Sequence, residues 1–190
     1  FFDTAAGKNE ILNRRIGKNE LATLQSVRGY VEAQREYASK DRDGDEVLEY
    51  AQKIVSSAGA KDGLFWSPQM DGEISPLGPL AADAAAEGYG KKTNVVRGEL
   101  QPFHGYFFKV LTRQAKSASG GSYAYVINGN MIGGFALVAW PAEYGESGIM
   151  TFIVNQQGRV YQKDLGSATG KIAAAMKEYN PDPTWTLSND

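Results

Sequence analysis

The spacing of apolar residues predicts one long helix near the start of the chain. From Lys8 to Lys40, large apolar side chains recur about every three or four residues or at multiples of that step, with good helix formers between them. The segment Asp41–Asp45 then favours a turn, because short polar side chains bond to nearby backbone. A second, short helix is predicted from Val47 to Val55, so that residues 8–55 form the helical part of the chain. The apolar positions that set the period are Leu12, Ile16, Leu24, Val27, Val31 and Tyr37.

Residues 56–102 have little periodicity and many glycines and prolines, which predicts a layer of loops. The segment is too apolar for disorder, and Leu80–Glu87 within it is predicted to be a short helix. After His104 the pattern changes to short apolar runs, which predict strands. Asn128-Gly129 signals a hairpin turn, and the last two predicted strands form a second hairpin. The predicted strands are Tyr106–Leu111, Tyr123–Ile127, Phe135–Trp140, Ile149–Val154 and Arg159–Lys163.

The order of these elements predicts the fold class. Helices come first and strands follow, which indicates α+β with an antiparallel sheet at 103–165 and a last helix at 169–179. We interpret residues 1–190 as a single domain whose long N-terminal helix packs on the sheet. The helix is expected to bury one apolar face against the strand 135–139. The residues expected on that face are Leu24, Val27 and Val31.

Composition excludes several classes of function. The chain has no cysteine, which removes disulfides, thiolate nucleophiles and cysteine metal sites. A net charge of −2 gives no whole-molecule field that would attract nucleic acid or anionic lipid, so no nucleic-acid partner is expected. No run of about 18 apolar residues is present, so no transmembrane segment is expected in this chain.

An acidic turn after the long helix is a candidate calcium site. Three aspartates alternate as the oxygen ligands do in the first half of a calcium loop, and a glutamate stands at the ninth position. The pattern is incomplete, because Glu46 occupies the position of the usual glycine and Gln52 that of the bidentate glutamate. The alternative is a solvated turn that ends the helix. The candidate ligands are Asp41, Asp43, Asp45 and Glu49.

No catalytic residue is predicted, and no cofactor other than Ca²⁺ is considered. His104 is the only histidine, no Gly-x-Ser-x-Gly elbow is present, and His104 is interpreted as structural or surface. The glycines around Gly133 lack the lysine of a phosphate-binding loop. Neighbouring acids such as Glu143 and Glu146 are interpreted as a solvated face, because spacing alone cannot identify a catalytic carboxylate pair.

Several strings spread over the whole chain resemble a bacterial domain-of-unknown-function family, number 2950. They are Glu10–Leu21, Ala33–Ala38, Asp41–Asp45, Pro76–Leu80, His104-Gly105-Tyr106, Met131–Ala139, Pro141–Gly145 and Met150–Asn155. The resemblance implies an exported protein of Gram-negative bacteria, periplasmic or otherwise outside the cytoplasm, with an additional upstream region. Residues 1–7 resemble the junction after that region, and the alternative is a chain end chosen by an experimenter.

A looser likeness is architectural. One long helix, an irregular middle and an antiparallel sheet with a closing hairpin are similar to the major pseudopilins of type II secretion. Pseudopilins have an apolar N-terminal half-helix, whereas this chain carries Lys8, Arg14, Arg15 and Lys18 there. The likeness therefore implies a pilin-like fold and does not imply filament assembly.

Two functions remain open on the sequence. The first is a non-enzymatic exported module that binds a protein or a surface of the envelope. The second is a hydrolase that uses carboxylates gathered in the loop layer. A deep pocket with convergent carboxylates would favour the hydrolase, and an exposed apolar or aromatic patch would favour the binding module.

Overall fold

The structure is a computed structural model, which describes residues 4–42, 44–67, 72–86 and 102–188. Within these ranges lie three α-helices and nine strands, most of the strands short. The helices are α1 (Thr4–Tyr37), α2 (Gly78–Ala86) and α3 (Thr169–Ala175), the last preceded by a 3₁₀ turn at Gly166–Ala168. The strands are β1 (Tyr106–Leu111), β2 (Arg113–Gln114), β3 (Tyr123–Ala124), β4 (Val126–Ile127), β5 (Asn130–Met131), β6 (Ala136–Pro141), β7 (Met150–Asn155), β8 (Tyr161–Asp164) and β9 (Thr186–Leu187).

One antiparallel sheet of five strands forms the centre of the described structure, in the order β1-β6-β7-β8-β9. All six residues of β6 are buried, as expected for an apolar run inside a sheet. Tyr106 of β1 reaches α1 through its hydroxyl, while Lys109 of the same strand reaches α3. Because side chains alternate along a strand, these two helices cover opposite faces of the sheet. The predicted α+β class with an antiparallel sheet is confirmed.

The long helix α1 packs its predicted apolar face on the sheet. Leu24, Val27 and Val31 are all buried in the same core as β6. Tyr30 lies between them on α1, and its hydroxyl donates to the carbonyl of Ala136 at 3.2 Å. The prediction for these three helix residues is confirmed. None of the described helices is both long enough and apolar enough to cross a bilayer.

The start of α1 differs from the sequence-based expectation. The helix begins at Thr4, four residues before the predicted start at Lys8, and residues 1–3 lie outside the described residues. Side chains at 7–11 and 13–15 are exposed, and burial begins at Ile16. The first described turns of α1 therefore extend beyond the part of the helix that packs on the sheet.

The predicted helix at Val47–Val55 is wrong, and this segment is irregular. Its backbone groups bond to distant parts of the chain, which a helix would prevent. Ala51 donates to Gln34 Oε1 and accepts from Gln34 Nε2, both at 2.8 Å. Tyr50 donates to the carbonyl of Met131 at 2.9 Å. Tertiary hydrogen bonding outweighs local helix propensity here.

Two other predicted elements are shorter than expected. The run Tyr123–Ile127 is divided at Tyr125, because β3 pairs with β2 whereas β4 pairs with β5 across the predicted turn. Asn128 and Gly129 have φ of 53° and 95°, as a two-residue hairpin turn requires. The last helix ends at Ala175 instead of residue 179, because Tyr179 forms backbone hydrogen bonds next to β2. Part of the predicted loop layer, at 68–71 and 87–101, lies outside the described residues.

Candidate functional site

A small groove lies where α1 meets the loop that joins β6 to β7. We call residues 142–149 the β6–β7 loop. The groove has a volume of about 260 Å³ and is open to solvent on one side. Its wall also includes the turn that leads into β1. The lining residues are Arg15, Asn19, Pro102, Gly105, Ala142, Glu143, Glu146 and Ser147.

Three side chains of α1 bind the backbone of the β6–β7 loop and the start of β7. Arg15 Nε donates to the carbonyl of Glu146 at 3.1 Å, and Asn19 Nδ2 donates to that of Ser147 at 2.8 Å. Glu20 Oε1 accepts from the N–H groups of residues 149 and 150, at 2.9 and 3.0 Å. Arg15 and Asn19 are one helical turn apart, which places both on one side of α1. We call Arg15, Asn19 and Glu20 the clamp, and it fixes one wall of the groove.

A buried tyrosine lies directly behind this loop. The hydroxyl of Tyr106 donates to the carbonyl of Met150 at 3.0 Å and lies 3.5 Å from Glu20 Oε1. Burial, and then the negative charge of Glu20, raises the pKa of Tyr106, so the phenol is neutral at ordinary pH. Gly148 faces the same ring, and a Cβ at this position would lie 2.5 Å from Tyr106 Cζ. The loop therefore fits against the tyrosine only with glycine at position 148.

The rim of the groove carries two carboxylates, those of Glu143 and Glu146. Both residues are exposed, and among the described residues neither carboxylate has a hydrogen-bond or ion-pair partner. The backbone between them is held by Ser147, whose Oγ donates to the carbonyl of Glu143 at 3.1 Å and accepts from its N–H at 3.0 Å. The two charges are therefore available to a ligand, opposite the guanidinium of Arg15.

The described carboxylates among the predicted calcium ligands accept hydrogen bonds from different groups and do not share one. The carboxylate of Asp41 accepts two backbone N–H groups of its own loop, at 2.7 and 3.0 Å. Asp45 accepts from Asn130 Nδ2 at 2.7 Å, and Glu49 accepts from the N–H of Met131 at 2.8 Å. Asp43 lies outside the described residues. In the described ranges no three carboxylate or imidazole groups converge as metal ligands would, and the calcium site stays a prediction.

His104 lies in the tight turn that precedes β1. Its side chain is buried, its backbone φ is 49°, and its ring lies 4.2 Å from that of Phe103. Tyr106 closes the turn by donating its N–H to the carbonyl of Phe103 at 2.9 Å. The histidine sits next to the groove without lining it.

A second charged cluster, around Glu73, has no counterpart in the sequence analysis. Its carboxylate accepts hydrogen bonds from Lys61 at 2.5 Å, Arg42 at 2.9 Å and Lys40 at 3.2 Å. These bonds, with Lys61 first, lower the pKa of Glu73 to about 2. Arg42 also lies over the rings of Tyr37 and Trp66, at 5.2 and 5.1 Å. The cluster joins the end of α1 to the loop layer, which is a structural role.

The described residues thus define an α+β domain in which a long helix and a loop between two central strands form an open, charged groove. The chain belongs to the family described as protein of unknown function, DUF2950, whose family model matches residues 1–187. No curated protein and no solved structure matches the chain. The predicted family is confirmed, and the likeness to pseudopilins stays a prediction.

The sequence alone does not identify the groove, although it singles out several of its parts. Three of the strings that resemble the family meet at it: Glu10–Leu21, His104-Gly105-Tyr106 and Pro141–Gly145. Glu143 and Glu146, which the sequence analysis interprets as a solvated face, are exposed. No local spacing indicates that clamp residues bond to a loop about 130 positions later, since the hydrogen bonds span 128 to 131 residues.

Proposed function

We propose that this domain is a non-enzymatic module of an exported protein and that it binds a segment of a partner protein in the groove. The observation that carries the proposal is a small, open groove with two carboxylates available at its rim. Clefts that enclose small molecules measure about 300–1,000 Å³, and this groove is smaller at about 260 Å³. A short stretch of polypeptide, which needs no enclosure, suits it better than a metabolite.

The charges of the groove define the chemistry of the partner segment. Glu143 and Glu146 favour a lysine or arginine side chain, and rim charges of this kind set association rate and specificity. Arg15, on the opposite wall, suits a carbonyl or carboxylate of the same segment. The clamp holds the β6–β7 loop before any partner arrives, which reduces the entropy lost on binding.

Export to the periplasm or another compartment outside the cytoplasm is part of the proposal. It is supported by the resemblance to exported proteins of Gram-negative bacteria, and a chain without cysteine is compatible with both oxidising and reducing compartments. The test is to express the full-length gene in a Gram-negative host and to separate periplasmic, membrane and cytoplasmic fractions. Recovery of the protein only from the cytoplasmic fraction would contradict export.

The competing function is a hydrolase, whose carboxylates would be Glu143 and Glu146 in the groove and not residues of the loop layer at 56–102. A carboxyl that acts as a general acid usually needs a desolvated setting that raises its pKa. Both glutamates are exposed, and the groove does not exclude water from them. The binding module is therefore the better supported of the two.

The experiment introduces a photo-cross-linking amino acid at Ala142, a lining residue, in cells that export the protein. We expect covalent adducts with a protein, and we expect Glu143→Lys with Glu146→Lys to remove them without changing the melting temperature. The control places the cross-linker at Ile172, an exposed residue of α3 outside the groove. Equal adducts at both positions would contradict the proposal. Hydrolytic turnover that Glu143→Gln or Glu146→Gln abolishes would favour the hydrolase.

A further inference from the structure

The outer side of α1 carries a row of basic residues with two exposed apolar residues among them. Ile11, Arg14, Lys18 and Leu21 follow one another at intervals of three and four residues, so they lie along one side of the helix. All four are exposed, and Ile11 and Leu21 are 71% and 63% exposed. Lys8 is exposed one turn before Ile11. We call Lys8, Ile11, Arg14, Lys18 and Leu21 the basic stripe.

The charge of this region differs in sign from that of the whole chain. Residues 7–18 contain four cations and one carboxylate, that of Glu10, whereas the chain has a net charge of −2. Glu10 accepts from Arg14 at 2.7 Å, and Arg15 flanks the stripe while it donates to the β6–β7 loop. Glu20 turns its carboxylate inward to that loop. The surface that α1 presents to solvent here is positively charged.

We propose that the basic stripe binds the anionic headgroup surface of a phospholipid bilayer. Lysine and arginine side chains are attracted to such a surface, and isolated apolar side chains beside them enter the headgroup layer. Ile11 and Leu21 are ten residues apart, which is about 15 Å along a helix. A protein partner would favour apolar residues gathered at the centre of a contact, whereas these two lie apart and next to cations.

The stripe is a site separate from the groove. None of its five residues lines the groove, and it faces away from the sheet. Binding to lipid is therefore testable whether or not a protein segment occupies the groove. If both proposals hold, a partner segment would be bound beside the membrane surface.

The test is sedimentation of the purified domain with vesicles of phosphatidylethanolamine that contain about a third phosphatidylglycerol, at low salt where surface charges are poorly screened. We expect co-sedimentation with these vesicles, little with neutral phosphatidylcholine vesicles, and release by salt near 0.5 M. Lys8→Glu with Lys18→Glu changes the charge by four units and should weaken binding by about 600-fold, at roughly fivefold per unit. Ile11→Ser should weaken it several-fold.

The matched control is Lys116→Glu with Lys177→Glu, which makes the same charge change at two exposed lysines outside the stripe. It should retain most of the binding, and circular dichroism should show that both double variants are folded. Equal loss in the control would overturn the proposal, because net charge alone would then explain binding. Failure to bind anionic vesicles at low salt would also overturn it, and binding to soluble polyglutamate without vesicle binding would point to an acidic protein instead.

Discussion

Gly148→Ala should be strongly destabilising, because the new methyl group would overlap a buried ring. The Cβ of an alanine at position 148 would overlap the hydroxyl oxygen of Tyr106 and would lie 2.5 Å from Tyr106 Cζ. Tyr106 is fully buried and its ring lies 5.9 Å from that of Phe152, so it has little room to move. The β6–β7 loop would have to shift instead.

The magnitude follows from what that shift removes. Overpacking a core costs about 1–3 kcal/mol. Moving the loop also weakens the hydrogen bonds from the N–H groups of residues 149 and 150 to Glu20, and a hydrogen bond to a charged group contributes about 1.5–3 kcal/mol. We expect a total loss of about 3–5 kcal/mol in the free energy of unfolding. In a domain of 190 residues this lowers the melting temperature by roughly 10 °C.

The assay is urea unfolding followed by circular dichroism, with Gly170→Ala as the control. Gly170 lies in α3, and a methyl group there would meet no heavy atom within 4 Å beyond its own helix turn. Alanine at this position should therefore be neutral or stabilise by about 0.5–1 kcal/mol. Tyr106→Phe removes the nearest oxygen and should recover part of the loss caused by Gly148→Ala. A loss below about 1 kcal/mol, or strictly additive effects of Gly148→Ala and Tyr106→Phe, would refute the reasoning.

Three further predictions concern other parts of the molecule. The pKa of the Glu73 carboxyl is about 2, below its unfolded value near 4.5, so its stabilising effect is full above about pH 4.5 and is lost as pH falls through 2. Glu73→Gln should lower the free energy of unfolding by about 1–2 kcal/mol at pH 7 after solvent screening. Urea unfolding at pH 7 and pH 2.5 should show a smaller pH dependence of stability for this variant than for the wild type. Lys109→Met should destabilise the end of α3, because Lys109 Nζ donates hydrogen bonds to three carbonyls there. The rate of amide hydrogen exchange in residues 173–176 should be higher in the variant than in the wild type. The calcium hypothesis for Asp41, Asp43, Asp45 and Glu49 predicts that Ca²⁺ at a hundredfold excess over Kd stabilises the fold by about 2.7 kcal/mol. A melting temperature that is the same with Ca²⁺ and with chelator would reject the hypothesis. An increase in melting temperature that persists in Asp43→Ala would place the ion elsewhere.

The sequence is most informative where local pattern and tertiary structure agree. The periodic apolar face of α1 and the apolar run of β6 pack on each other, and Asn128-Gly129 forms the expected turn. Prediction fails at 47–55, where the buried amide of Gln34 bonds to Ala51 and holds the segment out of a helix. Gln34 lies in α1 and takes the place of hydrogen bonds that a helix at 47–55 would form within itself. Such a contact between distant segments leaves no periodic pattern in the sequence.

The candidate site is harder to predict for the same reason. Arg15 and Asn19 resemble ordinary polar positions of a helix, and only the fold shows that they bond to loop carbonyls. Glu143 and Glu146 are neighbours in sequence, but their spacing does not indicate that α1 forms the opposite wall. The cations around Glu73 come from positions 40, 42 and 61, which no motif connects.

The clamp also has a consequence for how the protein reaches its native state. Its hydrogen bonds join residues of α1 to partners 128 to 131 positions later. Closing a loop of that length costs about 4 kcal/mol in chain entropy, and contacts this distant in sequence form slowly. During synthesis α1 emerges early, and its clamp has no partner until the β6–β7 loop and Met150 have been made. The groove therefore forms late in folding, and a chain interrupted before Ala142 would have the helix without the loop that forms the groove with it.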